Sequence, residues 1–131
     1  MSMIERLFTL RRSPAFSQLR DTELVLIAAS ARTRRYTAGE IIGAAGRPLR
    51  HLFVVVDGEA VTASGRELPG TFGAISLLFG SPLDEAVRAG DTGLVCLIIR
   101  RAHFHTILNE CPGLVVGLLQ AGASAEPARA A

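Results

Sequence analysis

Residues 72–89, FGAISLLFGSPLDEAVRA, constrain the fold more than any other stretch. Gly73 opens a short helical turn that Ile75, Leu77 and Leu78 anchor, and Gly80, Ser81 and Pro82 break it. Leu83 to Ala89 then leads into a strand. A turn that begins a short helix aims several free backbone N–H groups at one spot, and such a spot attracts anions.

The flanking sequence supplies the elements around that stretch. Met3, Ile4, Leu7, Phe8 and Leu10 recur at helical spacing over residues 3–12. Asp21 is a good N-cap for a helix reaching Ala31, with Leu24, Ile27, Ala28 and Ala31 on one face. Tyr36, the turn Ala38-Gly39-Glu40, and Ile41-Ile42 predict a hairpin of short strands. HLFVVV (51–56) and LVCLIIR (94–100) are apolar runs rich in β-branched residues, hence buried strands. Asp57-Gly58, Ser64-Gly65 and GDTG (90–93) read as turns between strands. Residues 101–110 are predicted helical, with Phe104, Ile107 and Leu108 on one face. Pro112 and Gly113 start a last helix, LVVGLL, and residues 121–131 are expected to be disordered. Short strands bracketed by helices predict a mainly β, α+β domain over 1–120. Its form is an antiparallel β-roll, or jelly roll (double-stranded β-helix), with N-terminal and C-terminal helices.

Composition narrows the function classes. At 131 residues and 49% hydrophobic, the chain suits one globular domain with a real core. A net charge of +2 does not by itself imply nucleic-acid binding. Every basic residue is Arg, paired at Arg11–Arg12, Arg34–Arg35 and Arg100–Arg101. Such pairs read as solvated faces, with a basic docking surface as the alternative. Cys96 and Cys111 are too few for a four-Cys zinc or iron–sulfur site. The opening MSMIERLFTLRR does not read as a signal peptide, and no apolar run approaches the roughly 20 residues of a membrane span. A cytoplasmic location without direct membrane insertion follows, alone or within a larger protein. No catalytic residue, resident metal or cofactor is assigned, because no nucleophile–base order or phosphate-binding Gly-rich loop stands out.

Several pieces in order resemble one family. They are Pro14-Ala15-Phe16-Ser17-Gln18-Leu19, Tyr36-Thr37-Ala38-Gly39-Glu40-Ile41-Ile42, Leu52-Phe53-Val54-Val55-Val56-Asp57-Gly58 and the central stretch. LVCLIIRRAHFHTIL follows, a strand leading into a helix that contains Phe. This order resembles the cyclic nucleotide-binding domains of catabolite activator proteins, cAMP-dependent kinase regulatory subunits and gated channels. The segment between Gly58 and Phe72 is shorter than in that family. The opening residues are similar to regulatory domains attached to larger membrane or repeat proteins. The resemblance makes residues 72–85 a phosphate-binding cassette, with Phe72, Gly73, Ala74, Ile75, Ser76, Leu83, Asp84 and Glu85 as its pocket positions.

The resemblance implies a Glu for the ribose hydroxyl and an Arg for the cyclic phosphate. Those positions hold Ala74 and Leu83, followed by Asp84 and Glu85. Losing a buried charge-assisted partner costs about 2–5 kcal/mol. A carboxylate about 4 Å from a phosphate adds about 4 kcal/mol of repulsion at an effective dielectric near 20. Half that sum exceeds two decades of affinity, so cyclic AMP and cyclic GMP are not expected to bind in the usual way. Arg88 would have to reach back to compensate. One expectation is that the Asp84 carboxylate stands in for the phosphate and accepts from the N–H groups of Ala74, Ile75 or Ser76. The alternative is a pocket filled by Leu83 and apolar neighbours.

The expected role is a non-enzymatic regulatory or interaction module with a protein partner or larger parent and no nucleic acid. A homodimer through 112–120 would use Leu114, Val115, Leu118 and Leu119. The first alternative is a small-molecule sensor, for another ligand or a cyclic nucleotide in an unusual pose. A minor alternative is a metal-dependent enzyme, because His103, His105, Glu110 and Gly117 read HxHxxxxExxxxxxG, similar to part of a cupin metal motif. That reading needs His103 and His105 on a strand, where they share a face. Haem with His51, His103 or Cys111 as an axial ligand is a further option.

Overall fold

The computed structural model describes residues 1–125, with side-chain surroundings through Gln120. Helix α1 (Met3–Arg12) is capped by Ser2, whose hydroxyl accepts from Glu5 N while Ser2 N donates to the Glu5 carboxylate. A 3-10 turn (Pro14–Phe16) leads to α2 (Asp21–Ser30). Asp21 is the first helical residue rather than the expected N-cap, because Arg20 N donates to Glu23 Oε1 at 2.9 Å and takes the cap position. Asp21 instead pairs with Arg11. The expected apolar stripe of α1 is split. Leu10 is buried, while Ile4 and Phe8 are 66% and 65% exposed. Phe8 lies about 200° from Leu10 around the helix, and α1 packs on α2 with one side only.

Five strands form one antiparallel sheet with flanking helices: β1 (Arg32–Tyr36), β2 (Ile41–Gly43), β3 (His51–Thr62), β4 (Thr71–Phe72) and β5 (Val87–Arg100). The order is β1-β5-β3-β4, and β2 also pairs with β5. The hairpin expected at 36–42 is therefore not a hairpin. The turn at 38–40 lays β1 and β2 end to end along β5, through Gly39 N to Ala89 O and Ala89 N to Glu40 O.

Two further expected turns are bends inside long strands. Asp57-Gly58 lies within the 12-residue β3, and GDTG within the 14-residue β5. The β3–β5 ladder steps from Gly58↔Leu94 to Ala60↔Ala89, so residues 90–93 bulge out opposite Glu59. Both Gly58 and Gly93 have φ near +80°, and a Cβ on Gly58 would stand 2.2 Å from Gly93 O. The strands turn a corner there without reversing.

Side chains alternate across these strands and build two cores. Leu52, Val54, Leu97 and Ile99 pack outward under α1, α2, α4 (Arg101–Glu110) and α5 (Gly113–Ala125). Phe53, Cys96, Ile98 and Leu94 pack inside the roll with Tyr36, Phe72 and Val87. Burial on both faces explains why HLFVVV and LVCLII are apolar throughout. Leu114 and Leu118 of α5 join the first core, and a Cβ on Gly117 would meet Ala15 O at 2.4 Å. The tail expected to be disordered continues α5 as far as Ala125, and 126–131 lie outside the described residues. Among the described residues no helix is long and apolar enough to cross a membrane.

Candidate functional site

The central stretch is the connection between the two longest strands. Thr62 and Val87 face each other at the end of the β3–β5 ladder, and Ala63 N donates to Ala86 O at 3.0 Å. Everything from Ser64 to Glu85 hangs from that closure. Ser64-Gly65 makes the expected turn, with Gly65 N on Thr62 O and Arg66 N on Thr62 Oγ1 at 2.9 and 3.1 Å. The chain returns to pair β4 with Phe53 and Val54. The rings of Phe72 and Phe53 stack at 4.7 Å.

Gly73 then starts α3 (Ala74–Phe79) with φ +101°, and a Cβ there would lie 2.4 Å from His51 O. No L side chain fits both conditions. Gly80 ends the helix at φ +67°. Ser76 Oγ donates to Ser81 O at 2.9 Å and folds the corner back onto the helix. Leu83 is held on both sides by a loop, its N donating to Arg47 O and its O accepting from Gly46 N, at 2.9 and 2.8 Å.

These elements enclose a cavity of about 370 Å³. Phe72, Gly73, Ala74, Ile75, Ser76, Leu83, Asp84 and Glu85 all line it, so the positions singled out in the sequence are brought together. Leu83 packs toward Gly43 and Leu49, since a Cβ on Gly43 would lie 2.8 Å from Leu83 Cδ1. Ala74 is buried and joins the outer core. Asp84 is exposed, and among the described residues it has no hydrogen bond to Ala74, Ile75 or Ser76. The expectation that it substitutes for a phosphate is overturned, because its side chain faces water. Glu85 is the engaged acid. Its Oε1 accepts from Ser64 N at 2.8 Å, a contact that holds its carboxyl below the ordinary 4.5, helped by the Arg66 charge.

The sequence reading missed Thr62, Ser64, Arg66 and Thr71 as cavity walls, along with Leu49 and Leu118. The Ser64-Gly65 turn was legible, but nothing local says that it folds over the cassette. Thr71 Oγ1 is buried and has no hydrogen-bond partner among the described residues. Arg88 sits between the inward Val87 and Ala89 and so points to the other face of β5.

His103 and His105 lie on helix α4, where residues two apart are about 200° apart and cannot share a metal. Gly117 belongs to the contact with Ala15 rather than to a metal motif. His51, His103 and Cys111 sit on β3, on α4 and at the α4–α5 junction. No group of three His, Cys, Asp or Glu among the described residues is placed to hold a metal.

The β-roll, its helices and the Gly73–Gly80 cassette together define a fold, that of cyclic nucleotide-binding domains. Neither a family sequence profile nor a curated protein matches the chain. Solved structures do. One is the N-terminal domain of a transcriptional regulator from Streptomyces coelicolor, with TM-score 0.65 and 25% identity over 88% of each chain. Another is the regulatory domain of Toxoplasma gondii protein kinase A with cAMP, at TM-score 0.67 and 22% identity over 80% of this chain. A third is the regulatory subunit of a cAMP-independent protein kinase A from Trypanosoma cruzi bound to guanosine, at TM-score 0.69 and 17% identity over 83% of this chain. The chain spans 44% and 41% of those two kinase chains, less than half of each.

Proposed function

We propose that the chain is a non-enzymatic regulatory or interaction module of the cyclic nucleotide-binding type, working within or beside a larger protein. Its pocket does not take cyclic AMP or cyclic GMP in the usual way. Leu83 carries this reading. At the position of the phosphate-pairing Arg, an apolar side chain packs toward Gly43 and Leu49. Ala74, at the ribose-binding position, is buried in the core beneath the cassette. Arg66 is the cation in the cavity wall, and its charge faces the Glu85 carboxylate. With Asp84 beside it, the wall is net negative and opposes an anionic ligand. Calorimetric titration of the full chain with cyclic AMP and cyclic GMP tests this. No heat of binding is expected, and micromolar binding of either nucleotide would refute it.

A second reading, a sensor of an uncharged ligand, is favoured by Thr71. A cavity of about 370 Å³ that carries the buried Thr71 hydroxyl, unpartnered among the described residues, beside apolar side chains such as Phe72 and Leu83 suits a small neutral molecule with a hydrogen-bonding group. The guanosine on the Trypanosoma neighbour supports a nucleoside as the first compound to titrate. Binding that Thr71→Val weakens supports the sensor, and no binding of guanosine or adenosine returns the choice to the first reading. A homodimer through 112–120 would use Val116 and Leu119, exposed apolar residues of α5, because Leu114 and Leu118 are committed to the core. Sedimentation of the full chain decides it.

A further inference from the structure

The arginine pairs are far apart in sequence, but the sheet register brings members of two pairs together. His51 lies opposite Arg100, Arg34 opposite Cys96, and Arg32 opposite Ile98, which in turn faces Phe53. Residues two apart on a strand share a face. Arg32, Arg34 and Arg100 therefore stand on one side of the sheet with His51 and Phe53. Arg50, next to His51, adds a fourth cation. All four arginines are exposed, and His51 is half-buried with its ring edge-on to Phe53 at 5.9 Å. The Arg34 guanidinium sits 5.0 Å over the Tyr36 ring, which fixes its position.

Among the described residues no carboxylate answers these charges. The salt bridges there are Arg11–Asp21 and Arg20–Glu23, both elsewhere. The charges acting on the His51 ring are those of Arg34, Arg100 and Arg50, with no acid among them. The same face borders the end of the sheet. β1 is the last strand on its side, and among the described residues only β5 pairs with it. An unpaired strand edge is a template for another extended chain.

We propose that this face docks an acidic, extended segment of a protein partner, whose carboxylates pair with Arg32, Arg34 and Arg100 while its backbone runs along the free edge of β1. Three arguments select a peptide over other polyanions. Arg32 and Arg34 are about 7 Å apart along the strand, the spacing of alternate side chains on an extended peptide. The free edge offers ladder hydrogen bonds that a peptide backbone can use and a phosphodiester chain cannot. The chain as a whole is only +2, with twelve acids, so it lacks the broad positive field that a duplex or an anionic membrane needs.

The test uses the full chain and a fluorescein-labelled peptide of alternating Glu and Val, read by fluorescence anisotropy. Binding should weaken as salt rises. Arg34→Gln with Arg100→Gln should weaken it by about tenfold or more, while Arg12→Gln on α1 leaves it unchanged. Thermal melts of each variant keep a loss of fold from being read as a loss of site. A peptide with alternate backbone N-methyl groups should bind more weakly than its parent. The proposal is overturned if the parent peptide does not bind, or if the double variant binds it as wild type does. It is also overturned if N-methylation changes nothing, or if oligothymidylate or phosphatidylserine vesicles bind more tightly than the peptide.

Discussion

Replacing Leu83 by Arg and Asp84 by Ser should raise the affinity of the chain for cyclic AMP, which the proposed function holds to be absent in the wild type. Leu83 lines the cavity and its backbone is fixed by the Gly46–Arg47 loop, so a new guanidinium starts from a held position. A desolvated charge-assisted pair with the phosphate is worth about 2–5 kcal/mol. Removing Asp84 adds less than removing a buried carboxylate would. The side chain is exposed, so its repulsion at about 4 Å is about 1 kcal/mol in water rather than about 4 at an effective dielectric near 20. Losing Leu83 packing on Leu49 costs about 1 kcal/mol of stability, which a melt reads separately. The lower bound of about 2 kcal/mol is roughly thirtyfold in Kd. Ala74→Glu is left out of the variant because Ala74 is 9% exposed in the core, where a carboxylate would be buried without a partner. Calorimetry reads the gain. A variant that melts like wild type yet shows no binding heat would mean that the cassette has changed shape as well as chemistry. Wild type binding as tightly as the variant would refute the reasoning from Leu83.

Gly73→Ala should destabilise the chain in urea by more than about 3 kcal/mol, because the left-handed backbone and the His51 carbonyl both oppose a Cβ. Gly80→Ala, with the same hand but open space around it, should cost only about 1–2 kcal/mol. Burial, then the charges of Arg34, Arg100 and Arg50, hold His51 below its ordinary 6.5, so the unfolded chain binds more protons than the folded one. Stability should therefore fall as pH drops below 6.5, and His51→Gln should remove that slope. Glu85, held below 4.5 by Ser64 and Arg66, contributes stability above 4.5 that is lost as pH falls through its lowered value. Glu85→Gln should flatten that acid limb. Burial pushes the Cys96 thiol up to about 11, so iodoacetamide should leave it unmodified until the protein unfolds.

The turns show which parts of the fold were legible. Ser64-Gly65 reverses the chain, as its residues predict, while Asp57-Gly58 and GDTG do not. A glycine at positive φ serves a turn or a bulge equally well. The distinction lies in what stands opposite. Gly58 stands against the Gly93 carbonyl, a contact between residues remote in sequence. The same holds for 36–42, where both strands pair with β5 end to end instead of with each other, as local pattern would have them. At the site, the cassette glycines were readable because their backbone demands are local. Arg66 and Thr71 were not, since only the closure at Thr62 and Val87 carries them to the cavity. Apolar periodicity placed the helices but misread the face of α1, where Ile4 and Phe8 are exposed.

The cassette motif has a packing role separate from any ligand. Gly73 is required by the His51 carbonyl of β3, and Phe72 by its stack on Phe53. Both contacts belong to the roll, so selection for folding alone would retain them after a ligand is lost. Phe72, Gly73 and Gly80 therefore report the fold, and only positions free of a packing role can report the ligand. Leu83 has a packing role of its own. Its side chain now packs toward Leu49 and Gly43, where a Cβ would be too close. Leu83→Arg therefore costs packing. Gly43→Ala should be poorly tolerated with Leu83 in place. The Leu83→Arg background should relieve it only in part, since turning the new guanidinium into the cavity removes the Leu83 contact but leaves Leu49 Cδ2 2.7 Å from the added Cβ. A double-mutant cycle on urea stability reads that coupling. Coupling indistinguishable from zero would mean that Leu83 is a bystander rather than a replacement wall.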